Sequence, residues 1–223
     1  MTADAVGVAI GTLERSVRGP RRARAELLRE VRDGLEDAVD AYREAGLDPV
    51  EARRRAVQDF GDAREVAAAL QEELAAGYGR GAAARMAVAF PALVVLWDLV
   101  WATGSQPGGT PPAAGILARL IDGLSFTAAA ACGIALVLLW SRGRRGVPAA
   151  RVTTGVGVLG LCTLAGVGGG SVLLNVLNTG RAASAYSDPP AFGVLAVTVG
   201  VAAWLCVSGQ RCLRLGRLAR SGP

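Results

Sequence analysis

The stretch AVAFPALVVLWDLVW, residues 87–101, contains one charged side chain, Asp98, and otherwise has the apolar character of a membrane span. This character extends over 83–103, which matches the length of about 20 residues that a helix needs to cross a bilayer. Three further stretches are similar in length and composition, at about 116–140, 152–177 and 191–209. The sequence therefore predicts an all-α fold in which residues 86–209 form a four-helix transmembrane bundle.

Charge is distributed unevenly along the 223 residues, whose mean hydropathy is +0.36. Residues 1–80 contain 13 arginines and 16 acidic residues, whereas residues 81–223 contain 11 arginines and 3 acidic residues. The net charge of +5 therefore originates in the apolar part of the chain. Because these arginines flank apolar stretches, they indicate membrane topology rather than binding to nucleic acid.

The arginines also predict the orientation of the spans in the bilayer. Arg80 and Arg85 precede the first span. The loop between spans two and three contains four arginines, and the basic tail, residues 210–223, contains another four. The loop over 104–115 contains none. By the positive-inside rule we expect both termini in the cytoplasm. The lysine-free composition, rich in alanine and glycine, is typical of high-GC coding, so we expect a bacterial cell membrane.

The composition argues against most enzyme chemistry. The chain has no histidine and no lysine, which excludes Ser-His and Cys-His pairs, histidine-ligated metals, Schiff bases and P-loops. Its four cysteines form no CxxC pair, so we predict no catalytic site, cofactor or metal. An intramembrane aspartyl enzyme using Asp98 and Asp122 is an open alternative, although no flanking signature accompanies these carboxylates.

Several polar residues occur within the spans, at similar depth toward the predicted outer side. They are Asp98, Arg119, Asp122, Ser171, Asn175 and Asn178. Polar side chains in spans usually face the bundle interior and pair with one another. The sequence predicts either a polar cluster that opens outward, with Arg119 as counter-ion to Asp98 or Asp122, or residues that only anchor and join helices.

The third span is rich in glycine, and Gly166 and Gly170 have the spacing that allows two helices to approach closely. This pair indicates either packing within one bundle or a contact in a homo-oligomer.

Residues 1–76 are predicted to form a cytoplasmic module of three to four short helices. Asp48 as N-cap, Pro49 at the first helical position and Glu51 in a capping box begin the third helix, and Gly61 ends it. Residues 77–85, GYGRGAAAR, then predict a flexible connector to the first span.

Three adjacent arginines, Arg53, Arg54 and Arg55, occupy the outer face of this third helix. Two capped helices around a glycine are superficially similar to a helix-turn-helix, but the module is acidic, whereas DNA affinity depends on neutralising phosphates. We therefore interpret the arginines as a protein-contact face, together with acids of the second helix such as Glu36 and Asp40.

The run LLREVRDGLEDAVDAYREAGLDPVEARRRAVQDFGDAREVA, residues 27–67, resembles bacterial permease prefix domain 1 and the related HAAS (helix-turn-helix-associated α-helical signalling) modules. The resemblance covers about residues 12–75, through an acidic helix ending in AGL, a D-P-x-E-A cap and the pattern A-V-x-x-F-G-D. It implies a cytoplasmic helical module attached to membrane segments, often paired with a PadR-like transcription regulator. The family also precedes permease bodies, but this chain lacks their large extracytoplasmic domain.

Two functions follow as hypotheses. The first is a membrane-anchored signalling or regulatory protein that binds a PadR-like regulator. The second is an accessory or degenerate permease subunit, which would need a partner ABC ATPase because the chain has no nucleotide-binding motif.

Overall fold

A computed structural model describes residues 5–103, 112–141, 148–177 and 189–221. These residues form seven helices and contain no strand, which confirms the predicted all-α fold. The helices are α1 (Ala5–Ser16), α2 (Arg21–Glu44), α3 (Pro49–Phe60), α4 (Ala63–Thr103), α5 (Pro112–Trp140), α6 (Ala149–Leu177) and α7 (Pro189–Ser221).

The last four helices are each long and apolar enough to cross a membrane. Large apolar side chains point outward along them, for example Val95 at 60% exposure, Ile134 at 63% and Phe192 at 67%. A water-soluble bundle would bury such residues, whereas lipid is a favourable solvent for them. The four helices therefore indicate a multi-pass membrane protein.

The chain divides into two compact units. The first comprises the residues up to Gly77 together with those from Leu215 onward, and the second comprises Tyr78–Arg214. In the first unit, Leu13, Val17 and Leu35 are buried in one apolar cluster, and Val39 packs with two alanines of α3 in another. This unit therefore has its own hydrophobic core.

Local capping sets the limits of α3. The Asp48 carboxylate accepts hydrogen bonds from the backbone N–H groups of Val50 (2.9 Å) and Glu51 (3.4 Å). The predicted N-cap is confirmed, but the carboxylate of Glu51 accepts hydrogen bonds from Arg54 instead of completing the capping box. Gly61 follows α3 with a φ of 86°, in the region that favours glycine.

A buried glutamine joins α4 to the turn that follows α1. The side-chain oxygen of Gln71 accepts from the backbone N–H of Arg18 at 2.8 Å, and its amide nitrogen donates to the Arg18 carbonyl at 2.7 Å. Gln71 is 7% exposed, so both of its bonds satisfy polar groups that burial would otherwise destabilise.

Glycines of α6 bring the helices of the second unit close together. A methyl group at Gly157 would lie 2.8 Å from the Gly209 carbonyl oxygen and 3.0 Å from the Cβ of Cys212. Gly166 and Gly170 similarly face Leu124 and Ile121 of α5. The small-residue pair identified in the sequence therefore serves packing between α5 and α6.

The structure differs from the sequence prediction at both ends of the bundle. Residues 77–85 belong to the continuous helix α4 instead of a flexible connector, and α7 continues to Ser221 through the predicted tail. In α4, Gly79 allows Leu139 and Thr153 to approach the backbone, so its lack of a side chain serves packing and does not end the helix. In α7, Cys212 is 0% exposed and Leu215 is 4% exposed, so side chains beyond the predicted end of the span are buried.

We expect Gly157→Ala to destabilise the second unit by about 1–3 kcal/mol, because the added methyl group meets backbone that has little room to move. Gly155→Ala is the matched control on the same helix, since a methyl group there meets no atom within 4 Å. Thermal unfolding of the purified chain in detergent measures both. Equal melting temperatures for the two variants would contradict the close contact between α6 and α7.

We expect Asp48→Ala to destabilise the first unit by about 1 kcal/mol, because two backbone N–H groups at the start of α3 lose their acceptor. Asp37→Ala removes an exposed carboxylate from the middle of α2 and serves as the control. Urea titration followed by circular dichroism compares them. If Asp48→Ala lowers the free energy of unfolding no more than Asp37→Ala does, the cap does not contribute to the stability of the first unit.

Candidate functional site

Arg53, Arg54 and Arg55, the arginine row, lie exposed on α3. Ala52 and Ala56 flank the row and are 0% and 2% exposed, so they form the inner face of the helix. Since buried positions four residues apart lie on one side of a helix, the three arginines between them project from the other sides. This placement agrees with the interpretation of the row as an outer face.

Two of these arginines pair with acids of their own helix. Arg54 donates to Glu51 through Nε (2.8 Å) and Nη2 (2.5 Å), and Arg55 lies 3.5 Å from Asp59. The expectation that the row meets acids of the second helix is therefore wrong for Arg54 and Arg55. The physical reason is the i,i+3 and i,i+4 spacing, which brings these partners together without any tertiary contact.

The predicted acids of α2, Glu36 and Asp40, are also exposed. Asp40 pairs with Arg43 one turn away, at 3.3 Å. Within the described residues, no ion pair joins either acid to α3, so the structure does not combine Glu36 and Asp40 with the arginine row.

A tyrosine connects α2 to α3 beside the arginine row. The hydroxyl of Tyr42 donates to the carboxylate of Asp59, which also pairs with Arg55. Sequence reasoning did not single out Tyr42 and missed this bond. The amphipathic character of tyrosine, whose hydroxyl usually finds a partner when its ring packs, is the signal that could have found it.

The hydrogen bonds from Arg54 lower the pKa of Glu51 below its ordinary value, and this effect is larger than that of the opposing desolvation. The same pair raises the pKa of Arg54. Both side chains remain in contact with solvent, at 68% exposure for Arg54 and 41% for Glu51. Exposed ion pairs contribute little to stability, so this one can be exchanged for a contact with another molecule.

The polar residues within the spans form smaller groups than the sequence predicts. Asp98 of α4 and Asp122 of α5 lie close enough for the charge of Asp98 to act on Asp122. Arg119 is exposed, and within the described chain no ion pair joins it to either carboxylate. The described residues therefore give no ion pair in which Arg119 acts as the predicted counter-ion, although Arg119 lies one turn before Asp122 on α5.

On α6, the side-chain amide of Asn175 donates to the backbone carbonyl of Ser171 at 2.9 Å. This bond lies within one helix, as expected for a polar side chain that must be satisfied in lipid. Asn178, the third predicted member of this face, lies outside the described residues. The structure therefore gives a carboxylate pair and a separate amide contact instead of one network.

A pair of tryptophans next to Asp98 links α4 to α7. The indole N–H of Trp97 donates to the hydroxyl of Thr198 at 3.1 Å, and that hydroxyl donates to the Val194 carbonyl at 2.8 Å. Trp97 also stacks on Trp101, with ring centroids 6.0 Å apart. Sequence reasoning missed this contact because Trp97 and Thr198 are 101 residues apart along the chain.

Comparisons with protein-family models, with curated proteins and with solved structures found no match. Within the described residues, no group of three or more His, Cys, Asp or Glu side chains could hold a metal ion. The candidate site therefore consists of the arginine row and its paired acids in the first unit.

We expect Glu51→Gln to lower the free energy of unfolding at neutral pH but not in acid. Because the pKa of Glu51 is lowered in the folded state, the ionised carboxylate stabilises the fold above its ordinary pKa. This contribution is lost as the pH falls through the lowered pKa. Denaturant titrations of the purified chain between neutral and acidic pH measure the difference from the wild type.

The control is Glu30→Gln, which removes an exposed carboxylate that pairs with none of the described residues. The free energy of unfolding of Glu30→Gln should differ from that of the wild type by the same amount at neutral and at acidic pH. A deficit of Glu51→Gln that persists in acid would contradict a role for the ionised Glu51–Arg54 pair.

Proposed function

We propose that this chain is a membrane-anchored signalling or regulatory protein whose first unit binds a protein partner through the arginine row. The observation that carries the proposal is the exposure of three adjacent arginines on a helical unit that has its own core. Arginine is enriched at the energetic centres of protein interfaces, where its planar guanidinium binds carboxylates at two points. The partner surface would therefore be acidic.

The ion pairs of the row support this role. Arg54 and Arg55 are held by Glu51 and Asp59 in exposed pairs, which fix the side-chain positions before a partner arrives. Preordered side chains lose less conformational entropy on binding. Because the pairs are solvated, replacing them with intermolecular pairs costs little.

The resemblance to permease prefix domain 1 and HAAS modules suggests the class of partner, a PadR-like transcription regulator. DNA would then be contacted by that partner, since the first 80 residues are net acidic and lack the electrostatic attraction that nonspecific DNA binding requires. The absence of histidine and lysine from the chain supports a role without enzyme activity.

Packing in the second unit supports a cytoplasmic location for both termini. Gly79, near the arginine-flanked start of the first span, contacts Leu139 at the end of α5 and Thr153 at the start of α6. Gly157 in turn contacts Cys212 near the end of α7. The start of the first span, the end of α5, the start of α6 and the later part of α7 therefore belong to one end of this unit. The positive-inside rule, applied to the arginines in the sequence, assigns this end to the cytoplasm of a bacterial cell.

An accessory permease subunit is the second candidate, and the neighbouring carboxylates Asp98 and Asp122 favour it. Ionisable residues within spans are costly and commonly mark transport pathways. Such a subunit would require a partner ABC ATPase. An ATPase gene beside this gene, and its co-purification with the chain, would favour transport over signalling.

The test of the leading proposal is to search the genes beside this one for a PadR-like regulator and to use that regulator in a pull-down with the full chain in detergent. We expect the wild type to bind, and the combined variant Arg53→Glu, Arg54→Glu and Arg55→Glu to bind at least about tenfold more weakly, as expected for the loss of charge pairs. The reason is that three attractive charges become repulsive toward an acidic surface.

The matched control reverses three exposed arginines of α2, with Arg21→Glu, Arg22→Glu and Arg29→Glu, and should retain binding. Lack of binding by the wild type would contradict the proposed partner. Equal binding by both combined variants would contradict the arginine row as the contact surface.

A further inference from the structure

Arg85 of α4 lies close to two aromatic rings in the second unit. Its guanidinium carbon is 5.7 Å from the ring centroid of Tyr78 and 5.3 Å from that of Trp204. Tyr78 precedes Arg85 by two turns on the same face of α4, whereas Trp204 belongs to α7. Both rings hold the guanidinium through cation–π contacts.

This cation has no anionic partner within the described chain. The Nε atom of Arg85 is buried and has no hydrogen-bond partner, and no carboxylate among the described residues forms an ion pair with the side chain. The next acid along α4 is Asp98, about 20 Å further along the helix axis at 1.5 Å per residue. A charge held in this way is costly unless an anion meets the accessible end of the guanidinium.

The position of Arg85 brings it near the level of lipid headgroups. It lies six residues beyond Gly79, which contacts Leu139 at the end of α5. This separation is about 9 Å along the helix axis. The long arginine side chain can extend toward the interface and so bring its charged group closer to the headgroups than its backbone is. Tyrosine and tryptophan, the two residues that hold Arg85, are themselves enriched at membrane interfaces.

The surroundings of Arg85 are apolar and exposed, which favours a lipid over a soluble anion. Val88, one turn further along α4, is 69% exposed, and Val207, one turn beyond Trp204 on α7, is 45% exposed. Acyl chains can cover these side chains while the headgroup meets the guanidinium. A soluble phosphate would leave the same apolar surface without a partner.

We propose that Arg85, held by Tyr78 and Trp204, binds the phosphate of an anionic phospholipid in the leaflet at the arginine-rich end of the bundle. The guanidinium fork donates two parallel hydrogen bonds to phosphate oxygens, and the rings orient the fork. An anionic lipid is preferred to a zwitterionic one because its headgroup has no cation of its own to oppose Arg85. This site is independent of the arginine row and of any protein partner.

The test measures lipid retained by the purified full chain in native mass spectrometry. The chain is titrated with phosphatidylglycerol or with phosphatidylcholine that has the same acyl chains. We expect the wild type to prefer phosphatidylglycerol and Arg85→Gln to bind it about tenfold more weakly, as expected for the loss of charge-assisted hydrogen bonds. Equal binding of the two lipids by the wild type would overturn the proposal.

The matched control is Arg211→Gln, which removes an exposed arginine of α7 near the same end of the bundle. It should retain the wild-type preference, because general attraction to the leaflet is not the proposed cause. If Arg211→Gln and Arg85→Gln lose binding of phosphatidylglycerol to the same extent, the assignment of the site to Arg85 is overturned. Displacement of phosphatidylglycerol by inorganic phosphate at the same concentration would overturn the lipid as occupant.

Circular dichroism verifies that each variant is folded. If Arg85→Gln does not fold, Arg85→Lys replaces it, because lysine keeps the charge but lacks the planar fork and its stacking. Retention of phosphatidylglycerol several-fold below the wild type supports the proposal. Retention by Arg85→Lys equal to that of the wild type overturns it.

Discussion

Close approach of α6 to its neighbours is the contact on which the arrangement of the second unit depends. In lipid the apolar side chains of one helix gain little by meeting another helix, so association relies on van der Waals packing and on hydrogen bonds between helices. Gly157 provides such packing by meeting the Gly209 carbonyl, and Gly166 provides it by receiving Leu124. Because backbone meets backbone at the first position, even a methyl group would separate α6 from α7. The contacts of Trp97 with Thr198 and of Gly79 with Leu139 then join α4 to the same arrangement.

The first unit is stabilised by different means, because its short helices are amphipathic. Buried leucine and valine residues supply the core, and Asp48 and Gln71 satisfy backbone groups at the places where helices begin and end. The charged side chains of the surface then contribute little to the stability of this unit. Its ion pairs, such as that between Arg55 and Asp59, are exposed and can be exchanged. Because the core stabilises the unit and the surface ion pairs can be exchanged, the arginine row can bind a partner without loss of the fold.

Charges within the apolar helices differ from those at the surface, because the surrounding medium cannot solvate them. Asp98 and Asp122 lie within two of these helices, and Asn175 of a third satisfies its amide on its own helix. Arg85 is held by ring faces, which orient its charge but do not neutralise it. An anion supplied by the membrane would complete this environment, and the second unit would then use lipid both as solvent and as a specific ligand.

The sequence by itself determined the all-α fold, the four apolar helices and the start of α3, because length, hydropathy and N-capping act over a few neighbouring residues. It also placed the arginine row outward, since helical periodicity separates Arg53–Arg55 from Ala52 and Ala56. Only the tertiary structure showed that residues 77–85 are helical, with Gly79 packed closely against Leu139 and Thr153. Tertiary structure likewise decided that Trp204 meets Arg85. These outcomes depend on which faces of distant helices meet, and periodicity within a single helix does not contain that information.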